Sequence, residues 1–381
     1  MFEGRIPRRH LIAAAAALLL AGCKVIPVGP KNPPPPPPAD NLPTDQQRHR
    51  IALLVPLSGP NAGVGQSIAN ATTMALLDTN AKSIRVTSYD TAGGPAAAAK
   101  KAIADGARLI LGPVQADDVA PIAAVARAAR IPVISYSSDE GTASRDVFQM
   151  GVSPFNSIGR TVRFARTRGA MRFGMLAPNG DYGSRASAAF TSAVKASGGT
   201  LVASSTYDRS NTSVVSAAQR LRGRGSFDAI LIADGTRFAV LAAPNLKASA
   251  AASPRLLGTE LWSGESAVAK TPALRGSWFA AVPDTRFRQF ADSYKARFGN
   301  APYRTATLGY DSVLLAVRVA RDWKVGTPFP AARLTDRDGF LGLDGPFRFS
   351  ANGTIERSLE VREARAGSVS VVSAAPDKFA D

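Results

Sequence analysis

The apolar positions first form a run without alternation, Ile51-Ala52-Leu53-Leu54-Val55. Five apolar residues with no polar face predict a strand buried on both sides, as in a parallel sheet covered by helices. Residues 56–63 follow, rich in proline and glycine, and read as a loop. Val64, Ile68, Ala71 and Ala75 then recur at helical spacing, which predicts a helix with one apolar face. The unit repeats. Strands are expected over 84–89, 108–111 and 131–135, with helices over 96–104 and 119–130 between them. After residue 151 the pattern restarts: helix 155–168, strand 171–176, helix 184–196, strand 200–206, helix 214–221, strands 227–232 and 256–258. Helices over 286–298 and 305–323 follow. The stretches 345–349 and 355–372 alternate like antiparallel strands, with Asn352-Gly353 as a hairpin turn.

This order predicts an α/β fold of two doubly wound, Rossmann-like lobes with a cleft between them. Residues 49–152 with 282–325 are expected in lobe one, and 153–281 with 326–375 in lobe two. In open α/β sheets ligands bind beyond the carboxyl ends of the strands. The loop after the first strand, with Ser58, is therefore a candidate ligand wall, and a cleft hinged by short crossovers is suited to closing on a ligand.

Composition narrows the chemistry. The 381 residues contain one cysteine, Cys23, and two histidines, His10 and His49. That excludes an intrachain disulfide, a Cys/His zinc site, and Ser-His-Asp or Cys-His catalysis in the folded body. Gly63-Val64-Gly65 lacks the later glycine of a dinucleotide fingerprint, since position 68 is Ile68, and there is no phosphate-binding P-loop. No catalytic residue, metal or cofactor is assigned, and the protein is read as not an enzyme.

The net charge is +17, of which the leader, with Arg5, Arg8 and Arg9 against Glu3, carries +2 and leaves +15. Residues 1–22 read as a signal peptide, with a charged start and an apolar stretch over 11–20 that is too short for a stable membrane span. Leu20-Ala21-Gly22-Cys23 resembles the lipobox of bacterial lipoproteins, which implies a lipid on Cys23. By the same resemblance Lys24 implies the outer membrane. Residues 23–48 are then lipidated cysteine and tether, and Pro33 to Pro38 form a stiff polyproline spacer. The expected location is the periplasmic face of the envelope, anchored to a membrane by lipid, where nucleic acid is excluded as a partner. Arg160, Arg163, Arg166 and Arg168 read as a solvated basic face or a contact for anionic lipid or protein.

Val55-Pro56-Leu57-Ser58-Gly59-Pro60 with Gly65, then Gly112-Pro113, then Ile131-Pro132-Val133-Ile134-Ser135 resemble the type I periplasmic solute-binding proteins, whose best-known members are branched-chain amino-acid receptors of ABC importers. A narrower resemblance is to LpoA-type lipoprotein activators of penicillin-binding proteins. It is carried by Leu257-Gly258-Thr259-Glu260-Leu261-Trp262, Leu308-Gly309-Tyr310-Asp311-Ser312 and Gly342-Leu343-Asp344-Gly345-Pro346-Phe347-Arg348-Phe349. The LpoA type has a large helical-repeat domain where this chain has only the linker.

The resemblance implies a ligand cleft walled by Ser58, Gln115, Ser137, Ser138 and Asp139 on lobe one, and by Tyr182, Glu260 and Trp262 on lobe two. Asp139 is expected to repel a carboxylate ligand, and Trp262 to plug the cleft. Two functions follow as expectations. The first is a non-catalytic activator of a penicillin-binding protein in peptidoglycan synthesis. The alternative is the substrate-binding lipoprotein of an ABC importer, taking amino acids or related small polar solutes to a permease.

Overall fold

The apolar run becomes His49–Val55 (β1), a strand with neighbours on both sides. Ala62–Asp78 (α1) returns the chain over the sheet to Ile84–Asp90 (β2), which pairs with β1 in parallel. Pro95–Ala104 (α2) leads to Leu109–Leu111 (β3), parallel to the other edge of β1. Ala116–Ala128 (α3), Val133–Ser135 (β4) and Val147–Gln149 (β5) complete a five-stranded parallel sheet of order β2-β1-β3-β4-β5. The structure, a computed structural model, describes residues 47–247 and 253–379. The leader, Cys23 and the proline run lie outside the described residues.

Lobe two repeats the plan. Pro154–Thr167 (α4) precedes Arg172–Pro178 (β6), then Asp181–Ala196 (α5), Thr200–Tyr207 (β7), Ser213–Arg222 (α6) and Ala229–Ile232 (β8). Thr236–Leu246 (α7), Arg255–Leu257 (β9), Ser266–Lys270 (α8) and Trp278–Ala281 (β10) follow. In both lobes the first helix of a βαβ unit starts so close to the preceding strand that only glycine fits. A Cβ on Gly65 would lie 1.8 Å from the Pro56 carbonyl oxygen, and one on Gly183 1.7 Å from that of Pro178. The helices bury small faces: Ile68, Ala71 and Ala75 of α1 are inaccessible, as their spacing predicts.

The chain then crosses back. Thr285–Phe298 (α9) and Ala306–Ala320 (α10) cover lobe one. Phe340–Gly342 (β11), Gly345–Phe349 (β12) and Ile355–Arg357 (β13) form a small antiparallel sheet, with the expected turn joining β12 to β13. This sheet departs from the sequence analysis, which put residues 326–375 in lobe two. Phe340, Phe347, Phe349 and Ile355 share one core with Ile51, Leu53 and Leu109, and the rings of Phe148 and Phe349 meet edge to face at 5.5 Å. Alternation marks a strand but not the sheet it joins, so the crossing point was misplaced. Only Glu360–Arg365 (β14) and Ser368–Ser373 (β15) enter the second sheet, whose order is β15-β14-β10-β9-β8-β6-β7. The lobes are thus joined by three crossovers, near residues 151, 283 and 358.

Candidate functional site

The first two crossovers border a cavity of about 380 Å³ with walls from both lobes. Its surface is largely apolar: Val114 and Leu308 come from lobe one, Leu261 from lobe two, and Val152 and Val282 from the crossovers. Polar residues come from both lobes: Tyr136, Ser138, Arg304, Thr307 and Asp344 from lobe one, Glu260 and Ser263 from lobe two.

On lobe two the group is Glu260. It opens a single 3-10 turn, Glu260–Trp262, just beyond the carboxyl end of β9. Its backbone N–H donates to Ser157 Oγ at 2.9 Å, and the Tyr182 hydroxyl donates to its Oε1 at 2.9 Å. Behind Tyr182, at 5.4 Å from its ring, the Arg209 guanidinium makes a two-point pair with Asp234 at 2.8 and 2.9 Å. Glu260 Oε2 is shielded from solvent and has no partner. Burial pushes its carboxyl pKa up.

On lobe one the group is Arg304, just before α10. Its Nη1 donates to Asp344 Oδ1 at 2.5 Å, and Thr307 Oγ1 donates to Asp344 Oδ2 at 2.8 Å. The guanidinium lies 4.1 Å from the centre of the Phe287 ring. Its Nε and Nη2 are shielded and unpaired. Sequence reasoning missed Arg304. A signal was available: a cation at a helix N-terminus opposes the helix dipole and calls for a carboxylate partner.

Arginines also tie the crossovers. Arg357, buried, donates from Nη2 to the Met150 carbonyl at 3.0 Å, linking the third crossover to the first. Arg362 donates to the Val282 carbonyl at 2.7 Å and pairs with Asp284 at 2.6 Å, linking the third to the second. Beside them Asp311 is buried, with Oδ1 accepting from the Leu343 N–H at 2.7 Å. Burial, then the charge of Asp344, pushes its pKa up to about 7. The helix-borne arginines also make specific contacts: Arg160 donates to the Leu359 carbonyl at 3.0 Å, and Arg166 to that of Ser197 at 2.8 Å.

The sequence-predicted wall is only partly brought together. Ser138 and Glu260 line the cavity, and Tyr182 supports Glu260. Ser137 is buried, and its Oγ accepts from the Asp139 N–H at 3.0 Å, so it shapes the loop. Asp139 lines a neighbouring depression of about 640 Å³ and pairs across the lobes with Arg185 of α5. Ser58 and Gln115 lie elsewhere, in a depression of about 420 Å³ on lobe one. Ser58 Oγ donates to Asp90 at 2.6 Å, which with backbone N–H donors holds that carboxyl at about 2. Trp262 is not a cleft plug. Side chains advance about 120° per residue in a 3-10 turn, and Trp262 points into the core of lobe two, fully buried, with Nε1 donating to the Asp234 carbonyl at 2.8 Å.

Among the described residues no cluster of His, Cys, Asp and Glu is placed to hold a metal, and no helix is long and apolar enough to cross a membrane. A family model described as periplasmic binding protein matches residues 49–368, nearly all of the two-lobed body. The chain belongs to this family. Solved structures of periplasmic binding proteins superpose on it over most of their length. One is a branched-chain amino acid ABC transporter periplasmic ligand-binding protein from Burkholderia xenovorans LB400, at TM-score 0.71 and 17% identity, covering 87% of this chain and 96% of that one. Another is a solute-binding protein of an ABC transporter from R. palustris in complex with benzoate, at TM-score 0.62 and 20% identity, covering 88% and 98%. A third is the branched-chain amino acid transporter substrate binding protein of Streptococcus pneumoniae in complex with isoleucine, at 0.62 and 20%, covering 86% and 100%. At these identities the likeness is one of fold. An uncharacterized protein of Rickettsia prowazekii (strain Madrid E) is 31% identical over 122 residues, which span 32% of this chain and 33% of that relative.

Proposed function

We propose that this periplasmic binding protein is the solute receptor of an ABC importer, taking a small polar solute between its lobes and presenting it to a permease. The observation that carries this reading is the cavity itself. Both lobes wall it, it has the size of a small metabolite, and a carboxylate residue, Glu260, and a guanidinium residue, Arg304, line it from different lobes. A ligand touching both walls binds the closed arrangement better and shifts the lobes toward it.

The fold relatives support this alternative over activation of a penicillin-binding protein. The residues behind the narrower resemblance have duties inside the body: Trp262 in a core, Asp311 and Asp344 beside the crossovers. Such duties belong to the body itself and do not select an activator. Lipidation of Cys23 and the proline tether belong to the same proposal, as the means of holding the receptor at a membrane.

A thermal-shift panel of amino acids, aromatic acids, muropeptides and their amides tests the reading on the purified protein. A ligand at a hundred times its Kd adds roughly 2.7 kcal/mol of stability, which moves Tm by several degrees. No shift with any small solute, together with recovery of a peptidoglycan synthase from envelope extracts, would overturn the receptor in favour of the activator.

A further inference from the structure

Parallel strands share one direction, so the amino ends of the first sheet meet along a single edge, away from the cleft. In lobe one that edge is cationic. Arg50 of β1 stands opposite Arg85 of β2 in register. Arg108 comes just ahead of β3, and its N–H donates to the Arg50 carbonyl at 2.9 Å, which places it in the same row. Arg130 and Arg145 come ahead of β4 and β5. Each strand of the sheet therefore has an arginine at or before its amino end, in the spatial order Arg85, Arg50, Arg108, Arg130, Arg145, and all are exposed. Lys82, also exposed, precedes β2 at the same end.

The acids beside this row are matched by other cations. Asp105 pairs with Lys101 at 3.2 Å, Asp146 with Arg127 at 2.6 Å, and Asp78, at the end of α1, with Arg297 at 2.7 Å. The row thus keeps its positive charge. Two exposed apolar side chains lie at the same end. Leu77, in the last turn of α1, is 67% exposed, and Val325 is 48% exposed. Val325 lies just past α10, whose end is held here by Trp323 stacked on His49 at 3.8 Å. The segment that bears Cys23 also joins the body at this end, because residue 47 leads straight into β1.

Resting on the proposed placement of the protein at a membrane, we infer that this end of lobe one is a docking surface for an anionic phospholipid bilayer. Lipid phosphates meet the arginine row, whose guanidinium forks match phosphate oxygens. Leu77 and Val325 enter the headgroup layer beside it. Each cation held near such a surface strengthens attachment by about fivefold. The strands run from the row toward the cavity, which Tyr136 and Ser138 line from just beyond the carboxyl end of β4. A body seated on the row stands on lobe one, with lobe two clear of the bilayer and free to close.

The test is co-sedimentation of the chain from residue 23 onward, with Cys23→Ser to keep lipid off it. The probes are vesicles of phosphatidylcholine alone and of phosphatidylcholine mixed with phosphatidylglycerol. Binding is expected to the mixed vesicles only, and to fall as salt rises. The triple variant Lys82→Gln/Arg108→Gln/Arg145→Gln is expected to weaken it on the order of 100-fold. Its Tm is expected to match the parent, since all three side chains are exposed. The triple variant Arg163→Gln/Lys195→Gln/Arg222→Gln removes the same charge from exposed positions on lobe two. It is expected to stay within about twofold of the parent, because charges farther than a Debye length from the lipid are screened. Equal losses in the two triple variants would show attraction to net charge and not to a face, and overturn the proposal. So would no binding to the mixed vesicles, equal binding to neutral ones, or row-dependent binding to purified peptidoglycan in their place. The receptor reading is tested with solutes and survives each of these outcomes.

Discussion

Arg185 Nη1 on lobe two lies 3.1 Å from Asp139 Oδ2 on lobe one, so one ion pair spans the mouth of the cleft. The pair answers the electrostatic objection that the sequence raised against an anionic ligand. The charge of Asp139 is matched from across the cleft, and its other oxygen accepts from the Gly141 N–H at 2.9 Å. The two side chains keep 33% and 20% of their surface exposed, which puts the pair among partly solvated ones, worth about 0.2–1 kcal/mol. Arg185→Ala is therefore expected to weaken ligand binding by only about two- to fivefold, mostly through faster release. Stopped-flow dissociation at low and high salt checks this. The parent should approach the variant as salt rises.

Trp262 and the cleft are separable. Trp262→Ala removes a fully buried indole from the core of lobe two and the N–H that satisfies the Asp234 carbonyl. The expected loss is about 3–5 kcal/mol of stability, read as a large fall in Tm. Ligand affinity of the folded fraction is expected to stay near that of the parent. A large affinity loss with unchanged Tm would put the indole back in the cleft.

Ser58 and Gln115 make the converse case. Both border the depression on lobe one, apart from the inter-lobe cavity. Ser58→Ala and Gln115→Ala are expected to leave ligand affinity within about twofold, as exposed substitutions usually do. Ser58→Ala should also raise the pKa of Asp90, whose largest stabilising partner is that hydroxyl. Carboxylate titration by NMR measures it.

Asp311 gives the protein a pH dependence of stated sign. Its carboxyl titrates near 7 in the fold against an ordinary 3.8, because burial and Asp344 oppose its charge while the Leu343 N–H and Arg357 partly favour it. The folded state holds this proton more tightly than the unfolded chain. The stabilisation is complete below about pH 4 and is lost as pH rises to about 7. Asp311→Asn keeps an oxygen for the Leu343 N–H and has no charge to bury. The Tm of the variant relative to the parent is expected to climb between pH 4 and 8. A constant difference across that range would mean that Asp311 does not titrate there.

The two-lobed α/β plan was legible because apolar runs sit inside the strands, Ile51 to Val55 in β1 and Ala229 to Ile232 in β8, and because glycine and proline mark many of the loops between them. Thr236–Leu246 went unread as a helix, with Pro244 inside it. Val147–Gln149 and Trp278–Ala281 are too short to show a period. The site was less legible than the fold. Glu260 and Tyr182 were found because they follow strands, at the carboxyl ends where ligands gather. Arg304 and Asp344 come together from 40 residues apart across α10 and the small sheet, a pairing set by tertiary packing. Trp262 was misread because a single 3-10 turn decides which of its side chains face inward.

The third crossover fixes the order in which the chain can become a protein. Lobe two is continuous from α4 to β10, yet its sheet acquires β14 and β15 from a segment made after the whole of lobe one. Lobe one waits likewise for α10 and β11 to β13. Until those arrive, β10 presents an open edge, and the first core lacks Phe340, Phe347 and Phe349. Such late, non-local pairing slows folding and leaves partly built sheets open to wrong partners. A chain stopped at residue 358 would finish one lobe and leave the other with a raw strand edge, so a loss at the carboxyl terminus should act as a defect in solubility before it acts as a defect in binding.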